Sequence, residues 1–241
     1  MTAMHSNETD TARWLNRNVL GLGVNRFLSD LGHEAGTAIL PLFLAAIGAP
    51  PYALGLIEGA ADALSSFTKL LGGWLGDRIA RRRGWAALGY ALTGVTTGLY
   101  GVFSAWPWVF FVRAIGWAGR GLRSPLHDAL LTDSVAPAAR GRAFGFDEAA
   151  DTAGAMLGPP AALGIVFLLG QALGETGAYR FAFWLAAVPG IFAAVSILVL
   201  VRETRHPILP SRGLRPALRL LPLSFRRYTL AVLIFGCGDF S

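Results

Sequence analysis

The sequence predicts an all-α membrane protein, a bundle of six membrane-spanning helices with the start of a seventh. Three observations carry this. Of 241 residues, 54% are hydrophobic and only 15% charged, against roughly 25% charged in soluble domains. Apolar runs of about 20 residues, the length a helix needs to cross about 30 Å of hydrocarbon, recur six times. Outside the runs, arginines gather between alternate runs, the intervening loops being nearly bare apart from Arg180 at the start of the sixth, and that alternation gives the chain a direction across the bilayer.

The runs can be taken in order. The first, 19–47, contains Arg26, Asp30, His33 and Glu34; the three charges step by four and so share one helical face. The second, 52–75, carries Glu58, Asp62 and Lys69, with Ser65 and Ser66 on the same stripe. The third, 84–105, has no ionisable residue in its interior. Trp106 and Trp108 then mark a membrane interface, where amphipathic aromatic rings collect. The fourth run, 107–130, holds Arg113, Arg120 and Arg123, with His127 and Asp128 near its end. Asp147, Glu148 and Asp151 fall in the fifth, 143–169, and the sixth, 178–201, is bare of charge within. A seventh begins near Tyr228 and reaches Ser241 after about 14 residues, fewer than a crossing requires.

Of the 21 basic residues only Lys69 is a lysine. The arginines sit in the first residues (Arg13, Arg17), after run 2, after run 4 and throughout 202–227. This is the positive-inside pattern, which places the N-terminus and those loops in the cytoplasm. The net charge of +6 is therefore a topology signal and not a nucleic-acid footprint. The domains expected are a tail (1–18), a six-helix bundle (19–201), a cytoplasmic connector (202–227) and the truncated start of helix 7 (228–241). No removable leader is recognisable. The single Cys237 cannot form an internal disulfide. No phosphate-cradling glycine loop, nucleophile elbow or cysteine metal site is present, so a soluble enzyme is disfavoured. No cofactor is implied.

A charge at the centre of a spanning helix costs about 2.5–3.5 kcal/mol. Such residues survive by facing protein or a watery cavity. Runs 1, 2, 4 and 5 should therefore surround a polar interior, with 3 and 6 toward lipid. By helical rise, Asp30, Glu34, Asp62, Arg120 and Asp151 come close to mid-depth. Close helix approach is expected at GLIEG (55–59), GVTTG (94–98) and GAMLG (154–158), each a pair of small residues four apart. Pro159 and Pro160 are expected to bend or interrupt the fifth helix.

Gly73-x-x-x-Asp77-Arg78-x-x-Arg81-Arg82 resembles the signature loop between the second and third helices of the major facilitator superfamily, G-x-x-x-D-R-x-G-R-R, with Ala80 at its second glycine. Arg113 in RAIGWAGRG resembles the conserved arginine of the family's fourth helix. GAMLGPP resembles the Gly-x-x-x-Gly-Pro stretch of its exporters. Ser29-Asp30…Glu34 and Pro41-Leu42-Phe43-Leu44 are similar to a bacterial exporter-like subgroup. The resemblance implies a half bundle of 3+3 inverted repeats, with helices 1 and 4 lining the cavity, 2 and 5 flanking it, and 3 and 6 outside. It implies a second, C-terminal half with the substrate held between the two, and a bacterial inner-membrane location. On that reading Asp30, Glu34, Glu58, Asp62, Arg113, Arg120, Arg123, Asp147 and Asp151 form the substrate and proton pathway. Gly73, Asp77, Arg78, Arg81 and Arg82 form the gating loop, with Asp133 and Arg142 as partners. The activity expected is ion-coupled export of a small organic solute, with Asp30, Glu34, Asp62 and Asp151 as candidate proton carriers and the coupling ion itself left open by the residues. The alternatives are a divalent-metal exporter, using Asp30, His33, Glu34, His127, Asp128 and Asp151, and a non-transporting assembly or sensor protein.

Overall fold

The computed structural model describes residues 14–79 and 81–203 and, beyond these, only 222–224, 227 and 231. Six α-helices and no strand occur among the described residues: α1 (Arg17–Ala46), α2 (Tyr52–Gly76), α3 (Arg82–Tyr100), α4 (Trp106–Asp133), α5 (Arg140–Leu173) and α6 (Glu175–Leu200). Each falls on one of the six apolar runs. The chain divides into Met1–Pro207 and Ile208–Ser241; the connector beyond Glu203 and the seventh run lie outside the described residues, apart from those few positions.

Local chemistry sets the helix ends. Asn16 caps α1, its Oδ1 accepting from the backbone N–H of Asn18 and Val19 at 2.9 and 3.1 Å, which satisfies two orphan donors. Gly48 turns the chain into α2 with φ +75°, and Gly174 links α5 to α6 with φ +72°. These are left-handed conformations that glycine enters without a Cβ penalty. Among the described residues, only Pro137–Leu173 and Glu175–Leu200 reach the hydropathy of a membrane span by composition. The charges of α1, α2 and α4, and the glycines and threonines of α3, lower the other helices. Pro159 and Pro160 do not interrupt α5, which runs through both. The chain gives up two backbone donors there and keeps its helical path.

The packing follows a two-fold logic. α1 packs on α5 and α6, α4 packs on α2 and α3, and α3 packs on α6. Exchanging α1–α3 with α4–α6 maps that set onto itself, as a 3+3 repeat requires. Glycine lets the backbones meet: a Cβ on Gly94 would lie 2.7 Å from the Gly190 carbonyl carbon, and one on Gly158 would lie 2.7 Å from Leu31 O. Gly98 and Gly154 make similar approaches to Ala187 and Phe27. The GLIEG expectation fails, because nothing lies within 4 Å of a Cβ at Gly55 or Gly59. That pair sits on a face of α2 that meets no other helix among the described residues.

Two apolar clusters divide the bundle along its length. One gathers Ile39, Phe43, Tyr100, Val109 and Phe183; the other gathers Leu22, Tyr90, Leu126, Leu130 and Ile197 at the arginine-rich end. Along α1 and α4, the ionisable residues Arg26 to Glu34 and Arg113 to Arg123 fall between them. The polar layer is thus sealed above and below by packed hydrocarbon.

Candidate functional site

The centre of the layer is a single guanidinium shared by three carboxylates. Arg26 of α1 places Nε 2.8 Å from Asp151 Oδ1, 3.8 Å from Asp147 Oδ2 and 3.8 Å from Asp30 Oδ2. Four-residue spacing brings Arg26 and Asp30 to one face, and close α1–α5 packing through Gly154 and Gly158 brings the α5 acids to meet them. Arg120 of α4 donates from NH1 to Asp30 Oδ1 at 2.8 Å, so Asp30, 1% exposed, ties α1 to α4. Asp30 Oδ2 and Asp151 Oδ1 are both buried with no aligned hydrogen-bond donor, and both face the Arg26 guanidinium.

Nearer the other end, Arg113 NH2 reaches both oxygens of Glu58 at 2.8 Å and its NH1 reaches Thr37 Oγ1 at 3.3 Å. This joins α4, α2 and α1. Arg123 is 2% exposed; it donates to Ser29 Oγ and lies 3.9 Å above the Tyr90 ring, a cation–π contact. Asp147 also accepts from, or donates to, His127 Nε2 at 2.9 Å, while His127 Nδ1 meets Tyr90 Oη at 2.8 Å. Sequence reasoning left Tyr90 unnoticed, because a tyrosine in an uncharged helix carries no pattern signal.

Among the described residues, α1, α2, α4 and α5 thus supply the ion pairs of the interior, and α3 adds Tyr90 and Thr93. Of the residues expected here, Asp30, Asp147, Asp151, Arg120, Arg113, Glu58 and Arg123 are brought together. Asp62 is not. It is exposed on α2 and makes no ion pair among the described residues, because α2 turns that edge away from α4. Glu34 stands half-buried, one turn beyond Asp30, and likewise lacks an ion-pair partner among the described residues. The metal-ligand alternative also disperses: His33 packs edge-on against Trp117 and His127 is committed to Tyr90 and Asp147. No group of three potential metal ligands forms among the described residues.

The loop after α2 departs from expectation in its detail. Arg82, buried, donates from Nε to Gly76 O and from NH1 to Asp133 Oδ2, each at 2.8 Å, clamping the α2–α3 loop to the end of α4. Among the described residues Asp77 makes no ion pair with this region: Asp77 and Arg81 are exposed, as is Arg142, and Gly73 has open space around it. Arg78 stacks on Trp74 at 3.7 Å. Arg83, outside the expected set, binds Val201 O and Leu198 O at 3.0 and 3.3 Å, and its backbone N–H meets the Glu203 carboxylate. We expect Arg82→Ala to lower unfolding stability by about 2–3 kcal/mol through lost charged hydrogen bonds, and Asp77→Asn to leave it unchanged. Equal effects in a denaturation series of this bundle would sink that assignment.

A sequence profile for the Major Facilitator Superfamily matches residues 22–241. The chain belongs to this superfamily. It is 28% identical over 236 residues to an uncharacterized MFS-type transporter of Methanocaldococcus jannaschii, covering 98% of this chain and 57% of that one. It is 31% identical over 234 residues to an uncharacterized protein of Mycobacterium tuberculosis, covering 93% of this chain and 56% of that protein. Among solved structures, a bacterial homologue of the human drug peptide transporters PepT1 and PepT2 superposes with TM-score 0.72 at 18% identity, covering 85% of this chain and 47% of that one. A bacterial homologue of the human lysosomal transporter Spinster superposes with TM-score 0.67 at 18% identity, covering 80% and 46%. The chain spans about half the length of the relatives it matches. As a superfamily member it is an integral membrane protein with a transporter fold, and its six helices match one half bundle.

Proposed function

We propose that this chain supplies one half of a proton-coupled secondary transporter that exports a small organic solute by alternating access. The feature that supports this reading is the gathering of Asp30, Asp147 and Asp151 around Arg26, with apolar clusters on either side along α1 and α4. A proton on one of these carboxyls would remove a charge from a site where Arg26 and Arg120 already compete for carboxylates. Loading and unloading it changes which helices are tied together, and a rocking bundle needs such an exchange. Export is supported by the GAMLGPP stretch, and a cytoplasmic N-terminus in a bacterial inner membrane by the alternating arginines. The metal alternative has less support, since Asp30 and Asp151 are engaged by arginine and His127 by Tyr90 and Asp147.

In proteoliposomes of the full-length protein under an imposed pH gradient, screened with a panel of organic cations, anions and zwitterions, solute flux is expected to track the gradient. Asp30→Asn and Arg120→Gln are each expected to reduce flux to the leak of empty liposomes, a loss of at least about 100-fold or about 2.7 kcal/mol in rate. Wild-type flux in both variants would overturn the reading.

A further inference from the structure

We infer that the seam between α1 and α6 binds an anionic phospholipid, its phosphate held by Arg17, Arg83 and Arg202 and one acyl chain running into a groove between α1, α5 and α6. The site follows from the membrane setting and the packing, and does not depend on the transport reading above.

The head of the site forms where α6 ends. The last carbonyls of a helix lack intrahelical partners, and arginines supply them here. Arg17 NH2 donates to Val199 O at 3.0 Å, and Arg83 NH1 donates to Val201 O and Leu198 O at 3.0 and 3.3 Å. Arg202 follows at once and is exposed. Its backbone N–H donates to Asn18 Oδ1 at 2.9 Å, and its carbonyl accepts from Asn18 Nδ2 at 3.1 Å, so it is held beside Arg17. Each of the three guanidiniums keeps nitrogens that make no hydrogen bond among the described residues. The acid in this corner is Glu203, whose carboxylate already receives the Arg83 backbone N–H. Positive charge therefore exceeds negative, and a phosphate presents the oxygens that guanidinium forks bind.

The tail of the site starts from the same arginines. Arg17, Leu20, Val24, Leu28, Leu31 and Ala35 recur every three or four residues and so share one face of α1. Leu20 and Val24 are exposed. Leu28, Leu31 and Ala35 form the floor of a groove of about 290 Å³, walled by Ile165 and its neighbours on α5 and by Phe192 and its neighbours on α6. Every side chain lining it is apolar, and many are alanines, which leave the space unfilled. On α6, Val199, Val195 and Phe192 form the matching exposed strip. By helical rise Phe192 lies about 10 Å from Val199, and Leu28 about 16 Å from Arg17. These distances are comparable with the roughly 15 Å of hydrocarbon in one leaflet. A chain anchored at the arginines thus ends inside the groove without passing a polar side chain. A soluble anion would gain nothing from the groove, and an uncharged lipid nothing from the arginines. An anionic lipid uses both.

The test takes the full-length protein in phosphatidylcholine nanodiscs containing a trace of phosphatidylglycerol with a photoreactive diazirine near the end of one acyl chain. Phosphatidylcholine bearing the same group is the comparison. After illumination, proteolysis and mass spectrometry locate the adducts. The phosphatidylglycerol probe is expected to mark the groove segments around Leu28, Ile165 and Phe192 several-fold more than its neutral counterpart. Arg17→Gln with Arg202→Gln should lower that yield about 25-fold, about fivefold or 1 kcal/mol for each arginine, and leave the neutral probe unchanged. Because Arg17 also caps α6, Arg202→Gln alone keeps the test decisive should the double variant fail to fold; its guanidinium makes no hydrogen bond or ion pair among the described residues. Ala161→Phe, at an exposed position of the groove wall, should drive the adducts out of the groove. Equal yields from the two lipids, adducts spread evenly over the outer helices, or a yield unmoved by Arg202→Gln would overturn the inference. So would a groove without adducts, which would mean that another part of the protein covers it.

Discussion

Arg26→Ala is expected to lower the stability of the folded bundle by about 3–5 kcal/mol, the cost of removing one partner from a buried ion pair. The guanidinium is the common counter-charge of Asp30, Asp147 and Asp151. Without it, three carboxylates meet at the α1–α5 contact with Arg120, paired to Asp30, as the remaining arginine in salt-bridge contact. The chain's response would be to protonate a carboxyl or to part the helices, and both cost free energy. A second change separates charge from packing: Asp151→Asn in the Arg26→Ala background should recover a substantial part of the loss, whereas in the wild type it should not stabilise. Denaturant titration in lipid micelles, followed by tryptophan fluorescence, reads both. An unfolding midpoint of Arg26→Ala equal to wild type would show that the cluster contributes nothing to the fold.

Gly94→Leu is expected to separate α3 from α6, at a cost above the usual 1–3 kcal/mol of overpacking. The obstacle is backbone: a Cβ on Gly94 meets the Gly190 carbonyl carbon at 2.7 Å and Ile191 N at 2.8 Å, and one on Gly190 meets the Gly94 Cα at 2.7 Å. A side chain could swing aside, but two helix backbones can only move apart. That motion would open both apolar clusters, because α3 and α6 each contribute to them. Gly55→Leu is the matched control. It sits in an equally glycine-rich stretch with nothing within 4 Å, and by helix propensity it should stabilise by up to about 1 kcal/mol. Equal loss in the two variants, measured by the same denaturation, would refute the packing argument.

Much of the site was legible because burying charge is costly enough to leave a mark. Asp30, Arg120, Arg113, Asp147 and Asp151 stood out as ionisable residues in apolar runs, and burial without partners is so unfavourable that they had to meet. Asp62 shows the limit of that inference. It carries the same signal as Asp30, yet lies exposed on α2, because depth and helical face do not say what stands opposite. Tyr90 shows the converse. Nothing in GYALTGVTTG distinguishes it from a packing tyrosine, and only the crossing of α3 on α4 aims its hydroxyl at His127. The two glycine pairs that pack and the one that does not are equally alike in sequence.

The sequence by itself determined the number of helices, their lengths and the membrane setting, because hydrocarbon thickness and the cost of exposed backbone act on each segment separately. It also determined which helices carry charge. Only the tertiary structure decided who pairs with whom: that one arginine, Arg26, serves three acids, that Arg82 rather than Asp77 holds the loop to α4, and that a histidine is clasped between α3 and α5. Those outcomes depend on the azimuth and offset of helices packed through glycine contacts of a few ångströms, and that geometry belongs to the bundle as a whole.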